Sequence, residues 1–258
     1  CLERTGGQAI FRGNQQGRIR QLALSLSEVR YHTNLGESSL AGIKRCIGRA
    51  IQGQAERYVK TVRNNTMTIF KILTSIILLV FYACYYAKKI EQKKKGIHTT
   101  QIGKGKQGVP LYIEITMGIA TFCVVVVEVI SIVLDWSISP VWVRIAGLTI
   151  SALGVALFIT AMLTMRDSWR AGVSKDKTEL VTSGVFKISR NPAFLGFDLM
   201  YLGVLMVFFN WVLLIFSAFA ALTLHLQIVN NEEDAMLLAF GDEYLNYKKK
   251  VNRYLGRK

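Results

Sequence analysis

Five long apolar runs punctuate this chain, and each is close to the ~20 residues that a helix needs to cross a bilayer. They lie at about 67–87, 109–134, 140–165, 193–209 and 211–229. Lipid offers no hydrogen-bond partners to a bare strand, so runs of this length predict helices. The expected fold class is therefore all-α: a polytopic membrane helix bundle with about five transmembrane helices. Only Asn210 separates the last two runs, which predicts a tight antiparallel hairpin. Gly196 and Gly203, seven residues apart, fall on one helix face and permit close helix contact.

Basic residues orient such a bundle, because cytoplasmic connections carry an excess of Lys and Arg. The connection 88–108 holds seven Lys, and 135–139 holds no Lys or Arg. The stretch 166–191 is basic again, the turn at Asn210 is uncharged, and the tail carries Lys248, Lys249, Lys250, Arg253, Arg257 and Lys258. This alternation places the Met67 end outside and the C-terminus in the cytoplasm. It also accounts for the net charge of +15 without nucleic acid, for which no aromatic-plus-basic recognition module is evident. Gly103-Lys104-Gly105 lacks the spacing of a phosphate loop. Four cysteines without a CxxC pair and three scattered histidines point to neither a disulfide framework nor a metal site.

Residues 1–66 differ in character. They hold nine Arg, two Lys, four Glu and no Asp, begin at Cys1, and precede the first Met, Met67. The expectation is a non-native or disordered extension, such as translated upstream DNA, ahead of a membrane domain at 67–258. A basic amphipathic arm is the competing reading, with 40–62 helical and Ile43, Ile47, Ala50 and Ile51 on one face.

Two polar segments beside the membrane concentrate the chemistry. In the first, 179–185 alternates and ends at Ser183-Gly184, which predicts a short hairpin or an extended loop. Pro192 then opens a helix whose free backbone N–H groups suit an anion. Arg190 can add a bidentate contact, or it can simply touch lipid phosphate beside a helix cap. The second segment leaves the fifth run and stays helical, with Glu233, Leu237 and Phe240 on one face. Gly241 breaks it and Asp242 caps a further helix. Tyr244, Tyr247, Val251 and Tyr254 follow at helical spacing, as an interfacial stripe would. The run Glu232-Glu233-Asp234 suits a cationic ligand, such as a sulfonium or an ammonium, or ribose hydroxyls.

These segments resemble the isoprenylcysteine carboxyl methyltransferase family and, more loosely, the phospholipid methyltransferases. The first reads Leu180-Val-Thr-Ser-Gly-Val-Phe-Lys-Ile-Ser-Arg-Asn-Pro-Ala-Phe-Leu-Gly196; the second reads Glu232-Glu-Asp-Ala-Met-Leu, Phe240-Gly-Asp-Glu-Tyr244, Tyr247 and Arg253. The resemblance covers roughly 169–254. It implies a C-terminal cytoplasmic cofactor-binding segment that holds S-adenosyl-L-methionine. Arg190, Asn191, Pro192, Phe194 and Gly196 would form one wall, with Asp198 near the donor, and Glu232 and Glu233 would form the other. Glu233, Tyr244 and Arg253 would serve catalysis, with Arg253 orienting an acceptor carboxylate. Asn191 stands where the family usually has His, which puts any His-dependent step in doubt. The implied partners are membrane lipids and a lipophilic or lipid-anchored acceptor, and the setting leans towards a bacterial inner membrane. An NADPH-dependent membrane reductase of related C-terminal architecture is the main rival. It needs extra Arg or Lys for phosphates, and the acidic run argues against it. A non-catalytic membrane protein is the other.

Two acids, Glu128 and Asp198, lie deep inside the runs, whereas Glu114 is near a span end and needs no special explanation. Charged groups at such depth are costly and are usually functional or paired. Asp198 shares a helix face with Tyr201, and Glu128 is expected to be protonated or bonded to His225 or Thr149.

Overall fold

The structure is a computed structural model that describes residues 37–97, 107–169 and 179–257. The chain divides into two compact units, Cys1–Asn64 and Asn65–Lys258. All described residues of the first unit are helical and belong to α1 (Glu37–Lys94), so the stretch 40–62 is a helix. The Gly103-Lys104-Gly105 stretch and the loop bases Lys106, Arg170, Lys175 and Lys177 lie outside the described residues.

The second unit continues with α2 (Val109–Leu134), α3 (Val141–Met165), α4 (Pro192–Val207), α5 (Trp211–Gln227) and α6 (Glu233–Lys250). No strand occurs among the described residues. The protein is an all-α, polytopic membrane helix bundle. Four described helices are long and apolar enough to cross a membrane. The fourth expected span is shorter: α4 has 16 residues, or roughly 24 Å at 1.5 Å per residue, against a hydrocarbon core of roughly 30 Å.

Glycine sets the approach of α3 and α4. The contact is reciprocal, because α3 supplies Gly147 and Gly154, also seven apart, opposite Gly203 and Gly196. A Cβ on Gly196 would sit 2.8 Å from the Gly154 carbonyl oxygen, and one on Gly154 would sit 2.7 Å from that of Gly196. Backbone thus packs on backbone, which apolar side chains alone do not achieve in lipid. The α4–α5 turn falls at Asn210 as expected, and the Asn210 side chain also caps α5 by accepting from the Leu213 N–H at 2.9 Å. At this end Arg144 is buried. It donates to Asp135, Ser137 and Ser139 and so holds the α2–α3 turn.

Candidate functional site

Local chemistry builds the site from two ends of the chain. After α3, residues 179–183 run without regular structure into a 3-10 turn, Gly184–Lys187, rather than a hairpin. Gly184 has φ 59°, a backbone region that glycine enters at no steric cost. Proline then starts α4 at Pro192, with Asn191 at the cap position and no side-chain cap bond. The C-terminal residues dock on this corner through main-chain bonds. Arg190 N–H donates to the Asn252 carbonyl at 3.1 Å, and Gly256 N–H donates to that of Ile188 at 2.7 Å. Asn191 adds a side-chain bond from Nδ2 to the Arg253 carbonyl at 3.2 Å. These contacts deliver Arg253 to the site.

The acidic run arrives by a less regular route. Between α5 and α6 the helix widens into a π segment, Ile228–Glu232. Such segments re-phase a helix and are frequent at functional sites. The three acids consequently meet different fates. Glu232 accepts from Gln227 Nε2 at 3.1 Å, and the same amide donates to the buried Glu114 at 3.3 Å. Glu114, expected to be an ordinary residue near a span end, is therefore part of a buried polar network. Asp234 is exposed. Glu233 is buried, and three cations meet its carboxylate: Arg253 Nε at 2.6 Å and Arg190 Nη2 at 3.0 Å on Oε1, and Lys248 Nζ at 2.8 Å on Oε2. Burial works against the charged form of Glu233. The hydrogen bonds from Arg253 and Lys248 and the charge of Arg190 outweigh it and hold the carboxyl at about 2.

Arg190 is the hub. Its Nη1 donates to the Tyr244 hydroxyl at 2.7 Å, its guanidinium lies 5.8 Å from the centroid of that ring, and its buried Nε has no protein partner. Tyr244, Tyr247 and Val251 pack with Ala161 and Phe186 in a small core below it. Tyr247 donates its hydroxyl to the Phe186 carbonyl at 2.6 Å, and burial raises that hydroxyl to about 12. The tyrosine stripe is thus buried core rather than an interfacial band, except at Tyr254, which meets His225 Nδ1 at 2.6 Å.

The Arg-Asn-Pro corner and the acidic run face one cavity of ≈ 50 Å³, whose described lining includes Leu180, Arg190, Asn191, Glu232, Glu233 and Tyr244. Arg253 reaches it through Glu233. Pro192, Phe194, Gly196 and Asp198 are not in that lining. Helical rotation explains the difference: Gly196 turns to Gly154 and Phe158 of α3, and Phe194 packs on the membrane core. One physical expectation is corrected. Glu233 does not present a free negative charge to a cation, because Arg190, Lys248 and Arg253 meet its carboxylate, although Glu179 and Glu232 also line the cavity. The α6 face is corrected too: Met236 lines the cavity, whereas Leu237 is exposed. Lys248, Gln227 and Met236 escaped the sequence reading. Lys248 sat among three consecutive lysines that already served as an orientation signal, and no local pattern singled it out.

Residues 142–243, which contain most of this site, match the family described as phospholipid methyltransferase. Protein-S-isoprenylcysteine O-methyltransferase of Xenopus laevis is 31% identical over 113 residues, or 43% of this chain and 39% of the relative. The Homo sapiens protein of the same name is 29% identical over 113 residues, or 43% and 40%. Over this part of its length the chain is similar to the isoprenylcysteine carboxyl methyltransferases. It spans about two fifths of the length of these curated relatives. The solved structure of a eukaryotic intramembrane Ras methyltransferase, isoprenylcysteine carboxyl methyltransferase, superposes with a TM-score of 0.50 at 19% identity. It covers 94% of this chain and 96% of its own, a likeness of fold. The isoprenylcysteine methyltransferase resemblance thus extends in fold well beyond the polar segments that carry it in sequence.

Proposed function

We propose that residues 67–258 form an S-adenosyl-L-methionine-dependent methyltransferase acting on a membrane-associated or lipophilic acceptor at a carboxylate. The observation that carries the reading is the convergence of Arg190, Glu233, Tyr244 and Arg253, of which Arg190 and Glu233 lie within the stretch 142–243 that matches the phospholipid methyltransferases. The residues present fit the donor. The buried, unpartnered Arg190 Nε and the uncapped start of α4 suit its carboxylate. Met165, Leu180, Val181 and Met236 offer an apolar wall to its base. At ≈ 50 Å³ the cavity is far below the roughly 300 Å³ of small ligand sites, so donor binding requires it to widen.

The donor supplies an electrophilic methyl group on a sulfonium. Arg253 bonds Glu233 through Nε alone, which leaves both Nη groups for an acceptor carboxylate. An ionised carboxylate needs no base, so the loss of His at position 191 costs the reaction nothing. Catalysis then rests on alignment and exclusion of water. Glu233 holds Arg190 and Arg253 in place, and Tyr244 fixes the Arg190 plane. We place the site at the cytoplasmic face of the membrane, from the alternation of basic loops.

The test is transfer of labelled methyl from S-adenosyl-L-methionine to an S-prenylated cysteine in vesicles, read as base-labile methanol. Arg190→Ala and Arg253→Ala are expected to lower turnover roughly hundredfold or more. Wild-type turnover in either variant ends the site assignment, and a base-stable product ends the carboxylate reading.

A further inference from the structure

A chain of buried polar side chains ties the α5–α6 junction to α2, and the reaction as drawn so far gives it no part. Glu114 of α2 and Gln227 at the end of α5 are both 0% exposed, and Asn231 is 5% exposed. Gln227 Nε2 lies between two carboxyl groups, donating to Glu114 Oε1 at 3.3 Å and to Glu232 Oε1 at 3.1 Å. Gln227 Oε1 accepts from Asn231 Nδ2 at 2.6 Å, and that amide also donates to the Pro110 carbonyl at 3.1 Å. The deeper acids differ. Both Glu128 carboxyl oxygens and Asp198 Oδ1 are buried without a protein hydrogen-bond partner. The expected partners of Glu128 are engaged elsewhere: His225 bonds Tyr254, and Thr149 donates to the Ile145 carbonyl.

The π segment makes this chain of contacts possible. Gln227 and Glu232 are five residues apart, and on an α-helix of 3.6 residues per turn they would diverge by roughly 140°. In the widened turn the Glu233 N–H donates to the Ile228 carbonyl, five residues back, so positions five apart come to one face. Gln227 therefore meets Asn231 and Glu232 together, and Glu232 stands in the cavity lining. Packing alone does not call for these residues: Leu or Met would fill the same space without the cost of burying polar groups. A satisfied buried network instead fixes one geometry. Here that geometry is the direction of Glu232, because α2 holds Gln227 and Asn231 through Glu114 and the Pro110 carbonyl, and Gln227 holds Glu232.

We propose that Glu114, Gln227 and Asn231 are positioning residues for the methyl donor, which aim Glu232 into the cavity. Glu232 touches the donor, and the other three act through it. This inference rests on the donor reading above.

Calorimetric titration of S-adenosyl-L-homocysteine, the demethylated donor, onto the full chain in maltoside micelles tests the proposal. The wild type is expected to bind saturably, Glu232→Gln to bind about tenfold more weakly, and Gln227→Leu to weaken binding to a similar degree. In the double variant the second change is expected to add less than about twofold, because Gln227 acts through Glu232; an unrelated loss of packing would add in full. Glu114→Leu is expected to weaken binding several-fold, and Glu114→Gln, which keeps an oxygen for the Gln227 amide, to restore it. Fully additive effects in the double variant, failure of Glu114→Gln to restore binding, or wild-type binding by a folded Gln227→Leu or Glu232→Gln variant overturns the proposal and leaves the donor reading standing. Absence of saturable binding by the wild type removes the donor reading, and the proposal with it. Should Gln227→Leu misfold by circular dichroism, Asn231→Leu decides through the same cycle with Glu232→Gln.

Discussion

Replacing Glu233 with Gln isolates the electrostatic keystone of the site. The wild-type carboxyl is held at about 2 instead of the ordinary 4.5. At roughly 1.36 kcal/mol per pH unit, that difference is worth about 3 kcal/mol to the folded state at neutral pH. Lys248 and Arg253 are partly exposed, so solvent screening discounts the figure to about 2 kcal/mol. Burial of Arg190 gives the same sign and a larger figure, which makes about 2 kcal/mol the conservative expectation. The Arg190 side chain is 5% exposed, and removing the partner of a buried ion pair costs roughly 3–5 kcal/mol. The sign follows from the lowered value. The stabilisation is fully present above pH 4.5 and is lost as pH falls through about 2. Thermal unfolding of wild type and Glu233→Gln in maltoside micelles, followed by circular dichroism, measures it. The variant is expected to be less stable by about 2 kcal/mol at pH 7 and still less stable at pH 4, with the gap closing only near pH 2. Equal stability at pH 7, or a gap already closed at pH 4, refutes the argument.

Other outcomes follow from the same structure. Gly203→Leu forces a side chain against the Gly147 carbonyl, 2.5 Å from where its Cβ would sit. The expected result is loss of the α3–α4 contact and of folded protein, seen as aggregation on size-exclusion chromatography. Tyr247→Phe removes the buried bond to the Phe186 carbonyl and is expected to cost about 1–2 kcal/mol in the same melting assay. Asn210→Ala uncaps α5 and is expected to cost about 1 kcal/mol.

The sequence exposed most of the fold because lipid is a demanding solvent. Runs 109–134 and 140–165 end within a residue or so of α2 and α3, since backbone groups in hydrocarbon leave only the helix. Asn210 announced its turn by the lack of any other candidate. Arg190, Asn191, Glu232, Glu233 and Tyr244 were recognisable because the motifs that carry them lie in two short stretches, and the fold folds those stretches onto one cavity.

Partnership across the bundle was another matter. Glu233 read as a free acid, yet three bases from distant positions claim it, and they offset the acids Glu179, Glu232 and Glu233 that line the cavity. The acidic run alone therefore weighs less against a phosphate-rich cofactor, and the proposed methyl donor rests also on the matched stretch 142–243. Gly147 and Gly154 drew no notice until α4 set Gly203 and Gly196 against them. The C-terminal turn carrying Arg253 is held by main-chain bonds to 188–190, which no side-chain pattern encodes. The amino-acid order thus determined where the chain turns helical and which residues are dear to bury. Three-dimensional packing decided which charges those residues meet, because a Coulombic or hydrogen-bonded partner is chosen by distance in space and not by separation along the chain.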